Sequence, residues 1–402
     1  MSAKSMDVFS LRDTVVGEYR QFATSFTTIH ADDIRRQVEA IYAEGRFWPE
    51  PLIQINPSYK RGANLSSLIE GGALEPRTAD IFKADGAPLS LYKHQEQAIA
   101  LALQGESYVV TTGTGSGKSL CFFIPIVNAV IAEKRTRATP RTRAIIIYPM
   151  NALANSQLEE LDKFVKNVLG EKPITFARYT GQEDTEERRR ISENPPDILL
   201  TNFMMLELLI TRQEELDRKV IGNCAGLRFL VLDELHTYRG RQGAAVALLV
   251  RRVRERLSPE RLQCIGTSAT MASEGSLEDK GRVVARVASK LFSIEIPESK
   301  VIVKTLERVT DSSQNATSVR GSLGPGIDAG LASTISDPAL RTHPLTIWVE
   351  TRLGVSWSDV DQRWVRARPL TVEEAAGALS VLVPRERDFG LGRFEREISS
   401  TS

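Results

Sequence analysis

Thr112-Gly113-Thr114-Gly115-Ser116-Gly117-Lys118-Ser119 follows the short apolar run Tyr108–Thr111 and opens an apolar helical pattern at Leu120. Glycine at alternate positions lets successive backbone N–H groups turn inward around an anion. The start of a helix adds partial positive charge at the same point. Lys118 has the reach to touch the β- and γ-phosphates of a nucleoside triphosphate, and the Ser119 hydroxyl suits Mg²⁺. Residues Thr112, Gly113, Thr114, Gly115, Ser116, Gly117, Lys118 and Ser119 are therefore expected to bind ATP with Mg²⁺, Ser119 as a metal ligand.

Outward from this loop, short and almost continuous apolar runs alternate with amphipathic stretches from about residue 89 to 295. The expected strands are Tyr108–Thr111, Ala144–Tyr148, Ile174–Tyr179, Asp197–Thr201, Arg228–Leu232 and Gln263–Gly266. Expected helices between them include Ala152–Val168, Met204–Leu216 and Gly243–Leu257. Strands apolar on both faces and joined by helices imply a parallel sheet covered on both sides. This is an α/β, doubly wound sheet, which places its ligands at the carboxyl ends of the strands.

Val231-Leu232-Asp233-Glu234-Leu235-His236 ends one of these runs. Adjacent carboxylates at a strand end also begin turns and cap helices. Beside a phosphate loop they have separate chemical tasks: Asp233 to hold Mg²⁺, and Glu234 to orient or deprotonate an attacking water. His236 is either a link from this site to a second one or a local hydrogen-bond partner.

The chain has 402 residues, 42% hydrophobic and 26% charged, enough for a cored protein of more than one domain. A formal net charge of +1 supplies no general attraction to nucleic acid, so any such binding rests on local groups. Three scattered cysteines and no signal-like N-terminus point to a reducing cytoplasm. Leu120–Ile131 is too short to span a membrane and contains Pro125 and Asn128. The division expected along the chain is a helical and extended leader over 1–88, with a helix at Asp32–Ala43, then a nucleotide-binding domain over 89–300. A flexible linker over 301–339 and a small mixed unit over 340–402, with Trp348, Trp357 and Trp364, would follow. The basic runs Arg188–Arg190 and Arg251–Arg256 read first as solvated helix faces, and the tryptophans as core.

Gly266-Thr267-Ser268-Ala269-Thr270, after the next strand, resembles motif III of superfamily 2 helicases. Thr112 at the first loop position fits the same family. The resemblance implies a RecA-like P-loop NTPase fold and further assignments. Ser268 and Thr270 would couple hydrolysis to movement. Gln95, in Leu91-Tyr92-Lys93-His94-Gln95, would read the adenine edge. Pro149, Asn151 and Gln157 resemble motif Ia, Thr180 and Gly181 motif Ic, and Thr201 and Asn202 motif Ib. In that family these loops hold one strand's sugar-phosphate backbone, a contact that positions without reading sequence. They are also good turn and cap sequences.

The blocks Thr201–Glu207 and Leu230–Arg252 are similar to DExH helicases of the YprA/MrfA type. The stretches Pro51–Pro57 and Arg341–Leu345, with Trp348-Val349-Glu350, are similar too. Members of that group serve DNA repair or phage defence. The resemblance implies an ATP-dependent translocase or helicase on nucleic acid, DNA ahead of RNA. In this family a second RecA-like domain carries arginines for the γ-phosphate, and no such block is evident after residue 295. The chain is thus read as the first motor domain, weak in hydrolysis alone, with a separate chain supplying the second RecA-like domain as one arrangement. A non-catalytic half-motor that binds ATP and nucleic acid is the alternative.

Overall fold

The computed structural model describes residues 8–26, 28–43, 50–113, 115–136, 139–166, 168, 173–257, 261–269, 277–329 and 336–383. The chain divides into two compact units, one of residues 59–305 and one of residues 1–58 with 306–402.

The larger unit is built on seven parallel strands: β1 (Tyr108–Thr111), β2 (Ala144–Tyr148), β3 (Phe176–Tyr179), β4 (Ile198–Asn202), β5 (Phe229–Leu232), β6 (Gln263–Ser268) and β7 (Val301–Val303). Their order across the sheet is β7-β1-β6-β5-β2-β4-β3, and every pairing is parallel. The helices are α1 (Lys93–Leu103), α2 (Leu120–Thr136), α3 (Asn151–Val165), α4 (Thr185–Glu193), α5 (Phe203–Thr211), α6 (Glu215–Gly222), α7 (Gly240–Leu257) and α8 (Leu277–Phe292). This is the α/β, RecA-like doubly wound architecture expected from the sequence.

Continuous apolar strands serve two cores at once because side chains alternate faces. Tyr108, Val110, Ala144, Ile146, Tyr148, Ile198 and Leu200 enter the core beneath α1 and α2. Their neighbours Val109, Ile145, Ile147 and Leu199 enter the opposite core with α5, α7 and α8. Pro125 lies inside α2 and cannot donate to the Cys121 carbonyl one turn back. Tyr108 fills that gap, donating its hydroxyl to Cys121 O at 2.7 Å. Asn128, also on α2, accepts from the Glu75 N–H at 2.7 Å and the Thr78 hydroxyl at 3.1 Å. Residues 59–88 thereby join the sheet unit, with Leu65, Leu74, Ile81 and Phe82 in its core.

The structure groups other residues differently from the division expected along the chain. Val301–Val303, expected in a linker, extends the sheet as β7 beside β1. Within the same stretch Arg320–Ala329 is helical and buries Leu323 and Ile327. The helix expected over Met204–Leu216 breaks after Thr211 into α5 and α6, with Arg212 in extended conformation.

The smaller unit joins leader and C-terminal residues. Leu52–Ile53 pairs antiparallel with Leu370–Thr371, and Phe9, Leu345, Trp348, Leu353 and Leu379 share one core. Trp348 is fully buried; Trp357 and Trp364 form a cross-strand pair on the hairpin Val355–Ser358/Arg363–Arg366. Among the described residues no helix is long and apolar enough to cross a membrane.

Candidate nucleotide and nucleic-acid site

The phosphate loop leaves β1 and enters α2, as the doubly wound sheet requires. Gly115 and Gly117 have φ of 74° and 67°, in the left-handed region that side chains disfavour. Gly117 is also sterically fixed, since a Cβ there would lie 2.5 Å from Gln95 Nε2. Thr112 and Ser116 bond through their hydroxyls at 2.6 Å, and Ser116 donates to Gly113 O at 2.8 Å, closing the turn from within. Thr114 lies outside the described residues.

Gln95 differs from its expected place at an adenine edge. Its Oε1 accepts from the Tyr92 N–H at 2.8 Å, and its Nε2 donates to Gly117 O at 3.0 Å. Both ends of the amide are used to cap α1 and to pin the phosphate loop. The buried His94 touches the same loop, its Nε2 lying 2.9 Å from Ser116 O.

Lys118 Nζ stands 3.0 Å from Glu234 Oε1. The other carboxylate oxygen of Glu234 accepts from the Ala269 N–H at 3.2 Å and lies 3.1 Å from His236 Nδ1. His236 Nδ1 is in turn 3.4 Å from Ser268 Oγ and 3.3 Å from the Ala269 N–H. The end of β5 and the end of β6 are thus joined through one carboxylate and one imidazole. Glu234 holds φ 51° and ψ 56°, a left-handed backbone unusual for a glutamate. Thr270 lies outside the described residues.

Asp233 is half-buried beside them and accepts from the Thr267 hydroxyl. Burial raises its carboxyl to about 6, with the neighbouring Glu234 charge acting in the same direction against Thr267 and Lys118. A cation would relieve both of those pressures. The Asp233 carboxylate and the Ser119 hydroxyl are hard oxygen donors of the kind that Mg²⁺ takes alongside water and phosphate oxygens.

Three further loops leave the carboxyl ends of β2, β3 and β4, and one side chain ties them together. Asn202 donates from Nδ2 to Asn151 Oδ1 at 2.6 Å and to Thr180 O at 3.1 Å. Its Oδ1 caps α5 by accepting from the Met205 N–H at 2.7 Å. Thr201 is buried and donates to Tyr179 O at 2.6 Å, so its hydroxyl fastens β4 to β3. Gln157 lies farther along α3, donating to Glu160 at 3.2 Å, and Pro149 stands directly after β2.

Residues 92–277 match the family model for the DEAD/DEAH box helicase. The matched segment runs from the residue before α1 to the first residue of α8 and so carries the phosphate loop and the Asp233–Glu234 pair. The chain is similar to Druantia protein DruE of Escherichia coli (strain UMEA 4076-1), 28% identical over 342 residues covering 58% of this chain and 18% of that protein. It is also similar to the uncharacterized ATP-dependent helicase YprA of Bacillus subtilis (strain 168), 32% identical over 193 residues covering 47% and 24%. Among solved structures it resembles helicase MrfA bound to DNA, with a TM-score of 0.48 and 22% identity, covering 72% of this chain and 39% of that one. The chain spans between 18% and 24% of the length of these two curated relatives.

Sequence reading missed several residues that shape these loops. Arg178 bonds Asn155 at 2.6 Å and Glu183 at 2.7 Å, linking α3 to the loop after β3. Arg188, expected on a solvated face, instead reaches the Tyr179 hydroxyl and the buried Asp217, both at 2.9 Å. On α7, Arg252 pairs with Glu207 at 2.6 Å and Arg256 donates to Ile210 O at 3.0 Å, while Arg251 and Arg256 remain on an exposed face as expected. None of these contacts has a sequence signal, because each partner lies on another element.

Proposed function

We propose that this chain is the first motor domain of an ATP-dependent helicase or translocase acting on a nucleic-acid strand, DNA by its YprA/MrfA-like motif blocks. One observation carries the reading. The phosphate loop, the Asp233–Glu234 pair and the three loops tied by Asn202 all stand at the carboxyl edge of one sheet. ATP would occupy the β1, β5 and β6 side, with Thr112–Ser119 around its phosphates. The strand backbone would lie against Pro149, Asn151, Thr180, Gly181, Thr201 and Asn202. The geometry supports Gln95 as a brace for the phosphate loop more directly than as a reader of adenine.

Hydrolysis is an in-line attack of water on the γ-phosphorus, and charge stabilisation supplies most of the rate. Lys118 would move from Glu234 to the phosphates when ATP enters. That move uncovers Glu234 Oε1, which can then accept the proton of the attacking water. The base is therefore held in a salt bridge until the substrate releases it. Bound Mg²⁺, held by Ser119 and Asp233, would neutralise phosphate charge. His236, Ser268 and Ala269 would carry the altered position of Glu234 to the end of β6. The complement to this half-site, including arginines toward the γ-phosphate, is assigned to a second RecA-like domain, in the whole protein or in another chain.

The test is ATP turnover by the chain, alone and with oligo(dT) or oligo(U), beside direct measurement of ATP and oligonucleotide binding. Binding of both ligands, with turnover raised by oligo(dT), is the expected outcome. A chain that binds ATP but neither oligonucleotide would overturn the motor reading. Preference for oligo(U) would replace DNA by RNA.

A further inference from the structure

Glu183 follows the Thr180-Gly181 turn after β3, and its side chain is only 3% exposed. Its carboxylate accepts from the Thr180 N–H at 2.7 Å and the Gly181 N–H at 2.9 Å. It also accepts from the Thr180 hydroxyl at 3.1 Å and from Arg178 Nε at 2.7 Å. Two backbone N–H groups, a hydroxyl and a guanidinium converging on one anion are the parts of a phosphate site. Burial pushes the Glu183 carboxyl up, but the Thr180 N–H and the Arg178 guanidinium outweigh it and hold the group below its ordinary range.

Thr180 and Gly181 are residues that the family resemblance gives to a sugar-phosphate backbone, and their donors cannot serve two anions together. The fold does not need Glu183 to start the next helix. Asp184 already caps α4, accepting from the Glu187 N–H at 2.8 Å. Gly181 and Gln182 are exposed, so the carboxylate has a short path to water. The turn is also anchored without it, because Asn202 Nδ2 donates to Thr180 O and Thr201 donates to Tyr179 O.

We propose that this cradle is a phosphate-binding site which the chain fills with its own Glu183 carboxylate, and that a phosphodiester of the nucleic-acid backbone enters by displacing it. The proposal rests on the nucleic-acid reading above and adds the way in which that ligand is admitted. A phosphodiester carries one negative charge and acceptor oxygens, as the carboxylate does, so the exchange conserves charge and hydrogen bonds at the cradle. The displaced carboxylate regains its water. Engagement of this loop is then a competition, and a weakly held anion loses it.

The experiment titrates the full chain, Glu183→Ala and Glu183→Gln with inorganic phosphate and separately with oligo(dT), following the Thr180 and Gly181 amide resonances. Loss of the internal charge is expected to lower the phosphate concentration that moves both amides, and to tighten oligo(dT) binding, by about threefold or more. Unmoved amides in both variants, or weaker oligo(dT) binding in both, would overturn the cradle as a ligand site. The glutamine variant keeps the loop filled if the alanine variant distorts it. In the unmodified chain, saturation with oligo(dT) should return the Glu183 carboxyl toward its ordinary pKa, and an unchanged titration there counts against displacement. Amides that respond to phosphate in a chain that binds no oligo(dT) would overturn the phosphodiester as ligand and the nucleic-acid reading with it.

Discussion

The two halves of the sheet's carboxyl edge hold their charges differently. On the β1, β5 and β6 side, Lys118 and His236 meet Glu234 at 3.0 and 3.1 Å, on a glutamate with left-handed backbone. On the β2, β4 and β3 side, the neutral amide of Asn202 ties three loops, beside the Arg178–Glu183 ion pair at 2.7 Å. In the proposed function, the first half holds its charges in contacts that a triphosphate would break. The second would keep its Asn202 ties through ligand entry while exchanging the Glu183 contacts. The proposed motor uses both, one side that changes on every turnover and one that keeps its grip geometry. What they share is a carboxylate lent to donors meant for phosphate, Glu234 to Lys118 and Glu183 to the Thr180–Gly181 turn.

Substitutions that separate the halves test this contrast. Lys118→Ala should lower ATP turnover by about 10²–10³-fold or more, the scale of losing one donor to developing phosphate charge. Oligo(dT) affinity, read by fluorescence anisotropy, should move far less; an equal loss of both would mean that the halves are not separable. Glu234→Gln should lower turnover on the order of 10²-fold, the scale of general-base catalysis. Its ATP affinity, measured by calorimetry, should hold or rise, because Lys118 no longer leaves a full ion pair; a sharp fall would sink the gated-base account. Asn202→Ala removes a helix cap worth about 1 kcal/mol and unties the loops. Weakened oligo(dT) binding with near-normal ATP binding is expected, and the reverse pattern would misplace the strand site.

The smallest effect concerns stability against pH. Burial raises Asp233 from 3.8 to about 6, so between these values the folded chain holds a proton that the unfolded chain releases. That contribution is full below 3.8 and is lost as pH rises through 6. Asp233→Asn should therefore stabilise the nucleotide-free chain near neutral pH, by roughly 1–3 kcal/mol at about 1.36 kcal/mol per pKa unit. The gain should shrink toward about pH 4, as thermal unfolding would show. A gain independent of pH would place the cost elsewhere than in the buried charge.

Much of the larger unit was legible because its signals are local. Ala144–Tyr148 is apolar at every position, and a strand buried on both faces has no other composition. Leu120–Thr136 declares itself by the glycine-rich loop before it. β7 was not legible, since Val301–Val303 is too short for a period and gains its place only by pairing with β1. The break after Thr211 carries no glycine or proline, so the sequence reads as one helix. At the site, the phosphate loop and Asp233-Glu234 are contiguous motifs, so each is visible as a unit in the sequence. Gln95 was visible as a position but not as a brace, because its partner Gly117 lies on another element. Glu183 left no trace, since two of its four donors are backbone N–H groups, which any sequence supplies.

The side-chain amide of Asn202 has a mechanical consequence. Loops anchored separately would behave as independent fingers, each able to lose its nucleotide alone. Knotted at one side-chain amide, the turns at Asn151 and Thr180 and the start of α5 form a single jaw. In the proposed motor such a jaw would release all at once, leaving slippage by a fraction of a step no resting place on this surface.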